Sequence, residues 1–109
     1  MTLSREELLK QTAADIVEIT PEGWDTPIRV RQLRQGEYKK IYATIDEKDP
    51  FGTMPPLIIA SLMDEDDEPM FKKGDAALIQ DMAAAKIVSL VAAINEVNGF
   101  NQEQEEKNS

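Results

Sequence analysis

DMAAAKIVSLVAAINEVN, residues 81–98, is the longest segment of the chain with a single, unmixed period. Met82, Ile87, Leu90, Val91, Ile94 and Val97 recur at steps of three and four, which places them on one stripe of an α-helix. Asp81 is the expected N-cap, and Gly99 the residue that ends the helix in the left-handed conformation. The alanines at 83–85, 92 and 93 favour the helix and keep it slim, so neighbours can approach on more than one side. A helix this apolar needs a partner surface, supplied by the preceding residues or by another protein.

Working back from that helix, Pro55 and Pro56 suit the first turn of another, and Leu57 to Met63 (LIIASLM) is apolar almost throughout. Periodicity does not separate a buried helix from a strand there, and the prolines and the Leu, Ala and Met content favour helix. Tyr38, Ile41, Tyr42 and Ile45 return the helical period from Gln35, with an end expected near Asp46 to Asp49. Asp75 to Ile79 is read as a helical turn before the final helix.

The first third of the chain has a different period. Asp15 to Thr20 (DIVEIT) is rich in β-branched residues, and Ile28 to Leu33 alternates as a strand with one covered face. Thr20-Pro21-Glu22-Gly23 is a turn signal between them, so the two runs read as an antiparallel hairpin. Trp24, beside that turn, is expected over the edge of its own core rather than as a ligand platform. Ahead of the hairpin, Ser4-Arg5-Glu6-Glu7 matches a capping box that opens a short, loosely docked helix to Thr12.

The expected fold class is α+β: a predominantly helical single domain, residues 1–100, with an N-terminal antiparallel β-hairpin packed on three to four helices. Residues 101–109 (NQEQEEKNS) carry no apolar side chain and read as a disordered acidic tail. At 109 residues and 41% hydrophobic content the chain suits one small core.

Composition narrows the chemistry. With no cysteine and no histidine, thiolate chemistry and most metal sites and general bases are excluded. No nucleophile motif, phosphate loop or cofactor signature stands out, and acid pairs such as Glu6/Glu7 arise by chance in so acidic a chain. A non-enzymatic binding role is expected. The start of the sequence lacks the pattern of a secretion signal and no apolar run approaches bilayer length, so no membrane association is expected. A net charge of −9 repels nucleic acid. Asp64 to Glu68 (DEDDE) superficially matches a calcium loop, but Pro69 stands where that loop needs glycine and Asp75 where it needs glutamate; a solvated acidic turn is expected. Arg29, Arg31, Arg34, Lys39 and Lys40 cluster around Glu37 alone. That basic patch either offsets the chain's own acidic loops or forms a partner-facing surface.

Three blocks together resemble the tail assembly chaperones of long-tailed, lambda-type bacteriophages. They are Ile28-Arg29-Val30-Arg31-Gln32-Leu33 running into Gln35-Gly36-Glu37; Ser61 to Asp66 with Pro69-Met70-Phe71 and Asp75; and Ile79, Met82, Ile87 and Leu90 closing on Asn98-Gly99. The resemblance spans roughly residues 3–100 and rests on order and spacing. The family often has proline and glycine before its last helix, where this chain has Gln80, Asp81 and Ala83, so one continuous helix over 75–98 or two both remain open.

The resemblance implies a morphogenetic factor of the host bacterial cytoplasm, encoded by a phage or prophage and absent from the finished virion, which binds the tape measure protein and helps recruit tail tube subunits. Its client surface would lie along Leu57, Ile58, Leu62, Met82, Ile87, Leu90, Val91 and Ile94, with Arg29 and Arg31 alongside, and self-association is left open. It also implies that this is the short product of a frameshifted gene: Glu106-Lys107-Asn108 can be spelled GAA-AAA-AAC, which contains the slip heptamer A-AAA-AAC. The rival from another class is a small acidic interaction protein, a DNA mimic or inhibitor of a DNA-binding enzyme, for which the acids are too bunched and the basic patch is a poor fit.

Overall fold

The computed structural model describes residues 2–43, 45–46, 48–49 and 51–100. Along these, the chain forms α1 (Arg5–Gln11), β1 (Ile16–Ile19), β2 (Ile28–Arg31), α2 (Gln35–Tyr42), α3 (Met54–Ser61), β3 (Leu62–Met63), a 3-10 turn (Lys73–Asp75), α4 (Ala76–Gln80) and α5 (Ala84–Val97). The fold is α+β, with the N-terminal hairpin where the alternation places it. The expectation of a disordered tail falls on 101–109, outside the described residues.

β1 and β2 pair antiparallel with Val17 opposite Val30 and Glu18 opposite Arg29. The turn between them uses Gly23 at φ 84°, a conformation glycine adopts without the Cβ clash other residues meet. Its loop is tied to α5 by the Ser89 hydroxyl, which donates to the Glu22 carbonyl at 2.6 Å.

The reading of Leu57 to Met63 as all helix is corrected at its end. α3 carries its prolines in the first turn, but the backbone turns extended at Leu62 and adds a third strand, Val30 opposite Leu62 and Arg29 opposite Met63. Hydrogen-bonding to the open edge of β2 while burying Leu62 and Met63 outweighs one more turn of helix. The sheet order is therefore β1-β2-β3, with β2 central.

The final helix also begins later than expected. Asp81 closes α4, its N–H bonded to the Ala77 carbonyl, and α5 starts at Ala84 behind Ala83, with no side-chain cap. Residues 76–97 as one rod would be about 33 Å long, far longer than the roughly 12 Å of α3. Breaking the rod at 81–83 lets both α4 and α5 lie against α3. At the other end Gly99 takes φ 85°, as its sequence position suggests.

α2 stops at Tyr42, short of the expected end, because Asp46 holds a local turn by accepting the Lys48 N–H at 2.9 Å and because Ile45 finds no burial. In α1, Ser4 caps by accepting the Glu7 N–H, but the glutamate takes the Ser4 hydroxyl rather than a backbone donor. No residue of α1 is buried, in keeping with a loosely docked end.

The core gathers Val30 and Leu33 from the sheet side, Leu57, Ile58 and Leu62 from α3 and β3, Ile79 from α4, and Ile87, Leu90 and Ile94 from α5. Two polar clamps orient these layers. Arg31 donates in a fork to Glu37 at 2.9 and 2.7 Å and to the Ala60 carbonyl at 2.8 Å, joining β2, α2 and α3. Asn98 accepts the Leu33 N–H at 2.8 Å and donates to the Ile94 carbonyl, fixing the end of α5 to the β2–α2 connection. Among the described residues, no helix is long and apolar enough to cross a membrane.

Candidate docking surfaces

Packing decides which of the expected contact residues a partner can reach. Leu57, Ile58, Leu62, Ile87, Leu90 and Ile94 are buried in the chain's own core, and Val91 is half-buried against it. The two stretches named as a client groove therefore face each other, and their apolar stripes are spent on that contact. Met82, in the turn ahead of α5, is the member of the set left open, at 37% exposure.

Around Met82 the surface forms a cleft of about 220 Å3 where α3, α4 and α5 meet. Phe51, Met54, Pro55 and Ile79 line it with Met82 and Ile87, and Gln80 is its one side-chain amide. Phe51 is 59% exposed and Leu78, on α4, is 60% exposed. Large apolar side chains left this open next to a concave apolar surface gain from any apolar group that covers them. The cleft has room for a large apolar side chain or two, the scale at which a groove reads the anchors of an amphipathic helix. The sequence carried a signal for part of this: Phe51 stands beside Gly52 in a turn-forming run, where an aromatic has no helical or strand period to satisfy. Leu78 carried none, because it lies next to the buried Ile79 and reads as core.

A second concavity of about 720 Å3 lies between α2 and the end of α5. Tyr38 and Tyr42, one helical turn apart, stack with ring centroids at 5.4 Å and planes at 10°. Phe100 meets Tyr38 edge-on at 5.4 Å, held there by its N–H on the Asn95 carbonyl at 2.7 Å. The Tyr38 hydroxyl and the Asn95 side-chain oxygen are buried without hydrogen-bond partners. Burial pushes the Tyr38 phenol up to about 12, with Tyr42 adding to the rise, so Tyr38 stays a neutral donor.

Two of the five residues of the basic patch are paired within the chain. Arg29 pairs with Asp67 in the acidic turn and with Glu18 across the hairpin, and Arg31 is held by Glu37. For these two arginines the arrangement matches the reading in which the patch offsets the chain's own acids. The acidic turn itself is folded on its backbone: Asp64 accepts the N–H groups of Asp66 and Glu68 through one carboxylate oxygen, and Asp67 takes φ 61°, which a short polar side chain tolerates. Trp24 is half-buried against the core with the Lys86 ammonium 5.5 Å from its ring centre, consistent with an edge-of-core role.

No protein-family model matches the chain, and no curated protein or solved structure matches it.

Proposed function

We propose that this chain is a non-enzymatic tail assembly chaperone of a long-tailed bacteriophage or prophage, acting in the host cytoplasm on the tape measure protein while tail tube subunits assemble around it, and that it is the short product of a frameshifted gene. The observation that carries the reading is the apolar cleft bordered by Phe51, Met54 and Met82, with Leu78 exposed on the adjoining helix. A tape measure protein is a long helical chain whose apolar stripes aggregate when uncovered, and a cleft that takes one or two large side chains at a time suits transient cover along such a stripe. The order of the three sequence blocks supplies the choice of client. Contact through the cleft replaces contact through Leu57, Ile58, Leu62, Leu90 and Ile94, which the chain needs for its own core.

The test is co-expression with the tape measure protein encoded beside the gene. The expected result is that the full chain co-purifies with the client and raises its soluble yield, and that Met82→Glu or Leu78→Glu removes both effects while leaving the circular dichroism spectrum and melting temperature of the chain unchanged. A client equally soluble and equally free of the chain in its presence and absence overturns the proposal. Salt-sensitive binding to a DNA-binding enzyme instead would favour the mimic reading.

A further inference from the structure

The concavity between α2 and the end of α5 has no part in that reading, yet it has the features of a binding surface. Its lining includes one cation, Lys39, and no carboxylate, in a chain whose net charge is −9. Lys40 stands exposed on the same helix. No ion pair among the described residues involves either lysine, whereas Arg29 and Arg31 are both neutralised internally.

Gly36 sharpens the point. It lies in the first turn of α2 without a positive φ, and a Cβ built on it would meet nothing within 4 Å. Neither backbone strain nor packing against the described residues calls for glycine here, and glycine is a poorer helix former than alanine. Its effect is to keep the wall of the concavity open to close approach by another backbone. Beside it, Tyr38 and Asn95 complete the lining, with the Tyr38 hydroxyl and the Asn95 side-chain oxygen buried beneath its surface. An extended peptide suits that close approach, because its backbone is not enclosed by a helix of its own side chains.

We infer that this concavity binds an extended acidic peptide segment of another protein. The peptide backbone passes Gly36, an apolar or proline ring of the segment lies against Tyr42, which is 37% exposed, and its carboxylates meet Lys39 and Lys40. Charge complementarity selects this occupant: an anionic segment finds here two lysines that take part in no ion pair among the described residues, on a protein that otherwise repels it.

The probe is a short fluorescein-labelled peptide of alternating glutamate and proline, which stays extended, with an otherwise identical lysine–proline peptide as control. Fluorescence anisotropy with the full chain should show saturable binding of the acidic peptide only, weakened by salt. Lys39→Glu and Tyr42→Ala should each weaken it by about threefold or more, the range of one lost exposed charged or stacking contact. Gly36→Ala is the discriminating variant: it should raise the melting temperature while weakening the peptide. Equal binding of both peptides, binding unaffected by Lys39→Glu, or no binding at all overturns the inference. So does tighter binding after Glu103, Glu105 and Glu106 are changed together to glutamine, which would make the chain's own C-terminal segment the occupant, or concentration-dependent self-association abolished by Tyr42→Ala, which would make it a second copy.

Discussion

The fork between Arg31 and Glu37 gives the fold a measurable acid sensitivity. The Arg31 hydrogen bonds are the main cause of the lowered Glu37 pKa, burial opposes them, and the Arg34 N–H, accepted at 3.1 Å, adds to them; together they bring the carboxyl from 4.5 to about 2. Because the folded value lies below the unfolded one, the resulting stability is fully present above about pH 4.5 and is lost as the pH falls toward 2. At about 1.4 kcal/mol per pH unit the nominal contribution is about 3 kcal/mol. The Glu37 side chain is 34% exposed, so solvent screening reduces that to about 1–1.5 kcal/mol. Glu37→Gln keeps the shape and an acceptor oxygen while removing the charge. Urea unfolding followed through the lone tryptophan, Trp24, should show the variant less stable by that amount at pH 7. The gap between the two proteins should close between pH 4.5 and 2, since other carboxylates titrate alike in both. A gap that stays constant down to pH 2 would refute the assignment of this acid sensitivity to Glu37.

Other substitutions test the remaining joints. Ser61 is fully buried with its hydroxyl unpaired, so Ser61→Ala should leave stability unchanged or raise it by about 1 kcal/mol in the same urea assay. Asn98→Ala removes the bond to the Leu33 N–H and should cost about 1–2 kcal/mol, with faster hydrogen exchange at Leu33 as its local signature. Gly99→Ala meets no neighbour but must hold φ 85°, so strain alone should lower stability by about 1 kcal/mol, read as a drop in melting temperature.

What the sequence revealed and what it concealed divide along one physical line. Local signals were readable: the alternation of β1 and β2, the prolines opening α3, the left-handed glycines at 23 and 99, and the stripe of α5 all act within a few residues of themselves. Features decided by distant partners were not. Leu62 and Met63 become a strand because β2 offers them an open edge, and Asp81 ends one helix rather than starting the next because α4 and α5 share the short α3. The same divide governs the candidate surfaces. An apolar residue at helical spacing reads the same whether its stripe meets its own chain or another, so Ile87 and Leu90 were indistinguishable in kind from Met82 until α3 was in place. Tyr38 and Tyr42 were visible as a helical pair, but the concavity they line depends on Phe100 and Asn95 arriving from the far end of the chain.

The two candidate surfaces sit toward opposite ends of α5, and this arrangement carries a last prediction. Ile87 lines the apolar cleft and Asn95 the aromatic concavity, eight residues further on, or about 12 Å along a helix. Between them α5 is an uninterrupted helix whose buried side, Ile87, Leu90, Ala93 and Ile94, faces the interior, and whose end is pinned by Asn98 to the β2–α2 connection. Coupling between sites requires an element with two arrangements that the two ligands favour differently. A helix held along its buried side and pinned at its end offers none, so occupancy of one surface should change affinity at the other by less than about threefold, a coupling under about 0.7 kcal/mol. The measurement is the dissociation constant of the glutamate–proline peptide with and without a saturating apolar helical client segment. Met82→Glu in the cleft and Tyr42→Ala in the concavity should likewise affect their own ligands independently. A tenfold change in peptide affinity on client binding would mean that α5 shifts between two seats on α3, and the rigid account of its packing would then be wrong.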